Sequence, residues 1–126
     1  MINRGFRTYD IEEDDFPITI TASSDAEELP DLAPVSFVFQ DVNTGDVTRR
    51  KISFKENDNE TATLTIKPPD TPCNIVFAIQ VRFPAANPID QPLKLLFVSN
   101  DNQRAKDEIL PEDMPIVFAN YVMHSR

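Results

Sequence analysis

The sequence predicts an all-β fold, an antiparallel β-sandwich of seven or eight strands with an immunoglobulin-like or jelly-roll-like architecture. Three observations carry that expectation. Apolar residues recur at every second position in segment after segment, as in Ile75, Phe77, Ile79, Val81 and Phe83, and a period of two belongs to half-buried strands. Eleven prolines punctuate the 126 residues, so turn signals come at short intervals and leave no room for the long helix of a βαβ crossover. Nine phenylalanines and a 40% hydrophobic content supply a core, as a folded domain requires. A small closed β-barrel is the alternative that this pattern also allows. The length suits one β domain, with residues 1–16 as an acidic arm or edge strand and 17–126 as the sandwich body.

The elements follow in order. Residues 6–11 read as a short first strand that the acidic run 12–15 ends. Ile18, Ile20 and Ala22 then alternate with threonines, a second strand with one apolar face. Residues 23–34 are acidic and proline-ended; Ser24 is placed to cap one helical turn over 25–29. Val35, Phe37 and Phe39 share a face of the next strand, and Thr48, Ile52 and Phe54 a face of the one after it. Between them Asn43 and Gly45 tolerate the positive φ of a tight hairpin. A turn over 56–60 leads to Ala62, Leu64 and Ile66, and Pro68-Pro69 stops that ladder. Residues 74–83 form the strongest strand and the expected centre of a sheet. After a proline-bearing connection, residues 93–98 form another. Residues 100–113 are polar, with one helical turn near 105–110, and Pro115 opens the last strand over 116–123.

Charge and scarce residue types exclude several functions. The net charge is −9, and residues 1–34 hold two arginines against nine carboxylates, hence −7 of it. A nucleic-acid backbone or an anionic membrane requires a positive surface to displace counterions, so neither is an expected direct partner. A protein partner, basic in character, or a second copy of the chain fits better. The candidate interaction residues are Asp10, Glu12, Glu13, Asp14, Asp15, Asp25, Glu27, Glu28 and Asp31. The one basic run, Arg49-Arg50-Lys51, splits across two faces of a strand and is as well placed to neutralise the acidic N-terminal segment as to contact a partner. No apolar run is long enough to cross a bilayer as a helix, and the first residues lack a signal-peptide pattern. A cytoplasmic protein, or one carried in an assembly such as a virion, is expected.

Catalytic constellations are hard to assemble from this chain. His124, the one histidine, sits near the C-terminus, and Cys73, the one cysteine, precedes the strongest strand. Triads and zinc sites need more of both. Gly5 and Gly45 are the only glycines, so no phosphate-cradling loop can be written. Oxygen ligands for calcium are plentiful in loops, with Asp41, Asn43, Asp46, Asp58 and Asp101 as candidates. Turn chemistry accounts for the same residues, because Asn and Asp side chains bond their own backbone. No catalytic residue and no cofactor is expected. The leading expectation is therefore a non-enzymatic structural or protein–protein interaction module, an accessory of a larger assembly such as a capsid-decorating or tail protein. An acidic inhibitor that mimics a nucleic acid, and a calcium-dependent binding module, are the alternatives.

Overall fold

Alternation of apolar and polar residues produces two facing sheets, so that one side of every strand meets the core. A computed structural model describes residues 6–24, 29–58, 60–82, 93–100, 105–110 and 116–125. Among them are β1 (Phe6–Ile11), β2 (Ile18–Ser24), β3 (Asp31–Leu32), β4 (Val35–Asp41), β5 (Val47–Ile52), β6 (Lys55–Glu56), β7 (Thr61–Ile66), β8 (Cys73–Arg82), β9 (Leu93–Val98), β10 (Ala105–Leu110) and β11 (Ile116–Ser125). A 3₁₀ turn, Glu13–Asp15, joins β1 to β2. The first sheet has the order β1-β11-β8-β4-β5, with β3 also on β8, and the second the order β10-β9-β2-β7-β6. The sheets pack as a sandwich and do not close into a barrel.

The predicted central strand, β8, lies between β11 and β4, and its inward residues Ile75, Phe77, Ile79 and Val81 are all buried. β4 and β5 form the expected hairpin from Val35↔Ile52 to Gln40↔Val47. Its turn depends on Gly45, whose φ of 78° is strained for a residue with a Cβ. Two of the connections between sheets carry a cis prolyl bond, Phe16–Pro17 between β1 and β2 and Thr71–Pro72 between β7 and β8.

Three features depart from expectation. β1 pairs with β11 in parallel, from Phe6↔Asn120 to Ile11↔Ser125, so the sandwich is not wholly antiparallel. Parallel neighbours need a long connection, and here the rest of the domain supplies it. Residues 105–110, expected to hold a helical turn, form β10 on the edge of β9; the open ladder of β9 outweighs the weak helical preference of a six-residue stretch. Strand count also rises, because the two-residue strands β3 and β6 escape a periodicity reading. From Asp31↔Arg82 to Val38↔Val76 the β3–β4 side advances seven residues and β8 six. Pro34, which has no N–H for the ladder, lies within that one-residue offset. The helical turn expected over 25–29 falls mostly on 25–28, outside the described residues.

Midway along β8 and β11 the core is held by aromatic rings from both sheets. Phe37, Phe77 and Tyr121 follow one another across the first sheet, Phe37 tilted against Phe77 with centroids 4.7 Å apart and Phe77 stacked on Tyr121 at 5.0 Å. Phe97 from the second sheet lies 5.1 Å from Tyr121. Tyr9 on β1 closes the group, 5.5 Å from Phe97 and 6.0 Å from Tyr121. The Arg7 guanidinium stands over the Tyr121 ring at 5.8 Å, within cation–π range. Burial pushes the Tyr121 phenol well above its ordinary pKa.

Candidate interaction face

The outer faces of the two sheets differ in chemistry because alternation sends different residues outward. On the second sheet the outward rungs of β2 and β7 pair Thr19 with Thr65, Thr21 with Thr63 and Ser23 with Thr61. That surface is a hydroxyl ladder bounded by half-buried Leu96 and Val98 on β9. On the first sheet Val76 of β8 lies opposite both Val38 of β4 and Val122 of β11. The row continues to Arg49 on β5 and Thr8 on β1. Phe118, two rungs along β11 from Asn120 and opposite Gln80, is 52% exposed, and Val76 is 40% exposed. An outward sheet face is ordinarily polar. Here the two central strands place a phenylalanine and a valine in water.

Phe118 owes its position to register. Val117, Ala119, Tyr121 and Met123 are the inward set of β11, and Ala119, not Phe118, faces the core. The opposite phase of Phe118 to Tyr121 and Met123 was visible in the sequence, yet nothing local says which phase is inward.

The acidic candidates do not gather into one patch. Asp10, Glu12, Glu13 and Asp14 are exposed at the end of β1 and in the turn after it, whereas Asp15 is buried. Its Oδ2 accepts the Glu12 N–H at 2.8 Å in a reciprocal capping box, so this carboxylate organises the turn. Asp31 is exposed on β3, at the rim of a groove of about 300 Å³ lined by Leu29, Pro30, Leu32, Phe54, Glu56 and Ala62. Asp25, Glu27 and Glu28 lie outside the described residues. The basic run sits on β5, at the opposite edge of the sheet from β1, about 19 Å away across four strand spacings. It is therefore remote from Asp10 on β1. Arg49 and Lys51 are exposed on the outer face with Val38 and Ser36. Arg50 faces the other way and donates from Nη1 to the Lys67 carbonyl at 3.3 Å, a charge at an edge strand of the kind that discourages further strand pairing.

Two of the calcium candidates, Asp41 and Asp58, use their carboxylates within their own turns. Asp41 Oδ1 accepts the N–H groups of Asn43 at 2.8 Å and Thr44 at 3.0 Å. Asp46 donates its N–H to Thr44 Oγ1 at 3.2 Å. Asp58 Oδ1 accepts from the Glu60 N–H at 2.8 Å, the Thr61 N–H at 2.7 Å and the Thr61 hydroxyl at 3.1 Å. The two amides first, and then the hydroxyl, hold the Asp58 carboxyl below its ordinary pKa. Asp41 and Asp46 also line a cleft of about 200 Å³ with Asp70. Among the described residues no three His, Cys, Asp or Glu side chains are arranged to hold a metal ion. Asp101 lies outside them.

Cys73 is buried at the start of β8. Burial, and then the charges of Asp41 and Asp70, raise its thiol pKa to about 11. At pH 8 the thiolate fraction is about 0.001, against about 0.2 for a free cysteine. Reaction with a disulfide reagent at pH 8 is thus expected to run at least roughly 200-fold slower in the native protein than in denaturant. Comparable rates would place Cys73 at the surface. His124 is exposed on β11 opposite Asp10. Among the described residues no helix is long and apolar enough to cross a membrane.

Comparison of the chain with known protein families, with curated proteins and with solved structures finds no match. The fold and the face alone define its class: an all-β sandwich with one hydroxyl-rich and one partly apolar outer surface.

Proposed function

We propose that this chain is a non-enzymatic protein–protein interaction module that takes its place in a larger assembly through the outer face of its first sheet. The observation that carries this reading is the exposure of Val76 on β8, between Val38 and Val122, and of Phe118 on β11, four residues from Val122 on the same outward face. Covering apolar surface contributes about 25 cal/mol per Å², and apolar groups gathered on one face of a folded domain mark contact sites. The hydroxyl ladder on the other sheet offers no comparable gain. Arg49 and Lys51 at one margin of the face give it the polar rim usual for an interface.

A photo-crosslinking phenylalanine analogue placed at position 118, in cells that make the protein, tests this. Discrete protein adducts are expected, whereas the same group at exposed Thr65, on the outer face of the second sheet, should give none. Equal adducts from both positions, or none from either, would overturn the assignment of the face.

A further inference from the structure

The geometry points to a second copy of this chain as the occupant of that face, packed sheet against sheet about a two-fold axis that runs along the strands. This inference rests on the outer sheet being the contact surface, and three observations select the partner.

The first is the symmetry of the apolar row. Across the sheet it reads Arg49, Val38, Val76, Val122, Thr8, with valines flanking a central valine. β8 is the third of the five strands in the main path. A two-fold axis along β8 exchanges the two sides of this strand, so Val76 meets Val76 and each Val38 meets the other copy's Val122. An isologous interface requires such a self-complementary surface.

The second is the distribution of charge. The β5 margin carries exposed Arg49 and Lys51, and the β1 margin carries exposed Asp10. The same axis lays the β5 margin of one copy over the β1 margin of the other, bringing Arg49 over the second copy's Thr8 and within one outward rung of its Asp10. A two-fold axis perpendicular to the strands would instead set β5 on β5, arginine against arginine. Opposite margins of opposite sign therefore choose one axis over the other.

The third is size. β8 and β11 are ten residues each, about 30 Å long, and five strands span about 20 Å between the outermost axes. Even with shorter flanking strands, the face projects on the order of 500 Å², and side-chain relief brings its accessible area toward the roughly 800 Å² per partner of a standard interface. Sheets packed in this way lie about 10 Å apart with strands crossing at about 30°. The net charge of −9 on each copy opposes association, so the valine row and Phe118 must supply the attraction.

Sedimentation equilibrium of the purified chain in about 0.15 M salt, where charges are screened beyond about 8 Å, provides the test. From low to high micromolar protein the mass should move from 14.3 kDa toward twice that value. Val76→Asp should weaken dimerisation at least about tenfold, which corresponds to 1.4 kcal/mol, and Thr65→Asp should leave it unchanged. Both substitutions are at exposed positions, and circular dichroism checks that each variant is folded. Arg49→Asp should also weaken the dimer, and adding Asp10→Lys to the same chain should restore it. A chain that stays monomeric throughout, a dimer indifferent to Val76→Asp, or a charge reversal without restoration overturns the inference. Adducts from position 118 to a different protein, with the pure chain monomeric, would overturn this pairing while leaving the contact face in place.

Discussion

Replacing Tyr121 with alanine is expected to destabilise the domain by about 4 kcal/mol, within the range for removing a large buried aromatic side chain. Tyr121 is fully buried, and its ring touches Tyr9, Phe77 and Phe97 from three other strands. Truncation leaves a cavity that rigid strands on both sides cannot collapse to fill. A domain of this size has roughly 5–15 kcal/mol of total stability, so the variant should unfold at much lower urea concentration than the parent. Tyr121→Phe keeps the ring and should lose much less. If urea midpoints of the alanine variant and the parent coincide, the aromatic group does not hold the sheets together.

Ile11→Asp is the second large effect, expected at about 3 kcal/mol or more, because it places a carboxylate where an apolar side chain is buried. Ile11 lies at the end of β1 against the core, next to the turn that carries the chain to the other sheet. Loss of this contact should free the parallel edge strand, with amides of residues 6–11 exchanging hydrogen far faster while those of β8 keep most of their protection. Unchanged exchange in residues 6–11 would mean that β1 is held by its ladder to β11 alone. The experiment decides whether the acidic N-terminal segment acts as an arm or as part of the body. Tyr9 and Ile11 both pack on the core cluster, which argues for the body.

These expectations bear on function through rigidity. The proposed contact face is built on β8 and β11, which also hold the inward residues Phe77 and Tyr121. Each of these strands thus presents a fixed outer row because its inner row is locked by packing. A face of this kind needs little reorganisation on binding, and less ordering entropy opposes association.

Much of the fold was legible in the residues. The alternation of Ile18, Ile20 and Ala22, of Val35, Phe37 and Phe39, and of Ile75 to Val81 marked strands and their inward sides, because a buried face tolerates little else. Asn43 to Asp46 marked the hairpin because Asn and Gly tolerate the positive φ of a tight turn, which Gly45 adopts. Residues 105–110 were misread as a helical turn because their pairing partner, β9, is supplied by the fold and leaves no local trace. The acidic candidates were legible as charge, yet Asp15 faces inward as a cap while Glu13 and Asp14 face water, a distinction made by one turn of backbone.

The outer face of the first sheet shows the division most clearly. Sequence alone settled that the chain is all-β, that its histidine, cysteine and glycines are few, and which residues of β2, β4, β7 and β8 face the core. Each of those follows from composition or from a period of two, which are local properties. Strand order, the parallel union of the first and last strands, and the row Arg49–Val38–Val76–Val122–Thr8 belong to the assembled structure. Their members are far apart in the chain, and long-range pairing places side by side residues whose shared meaning no segment carries.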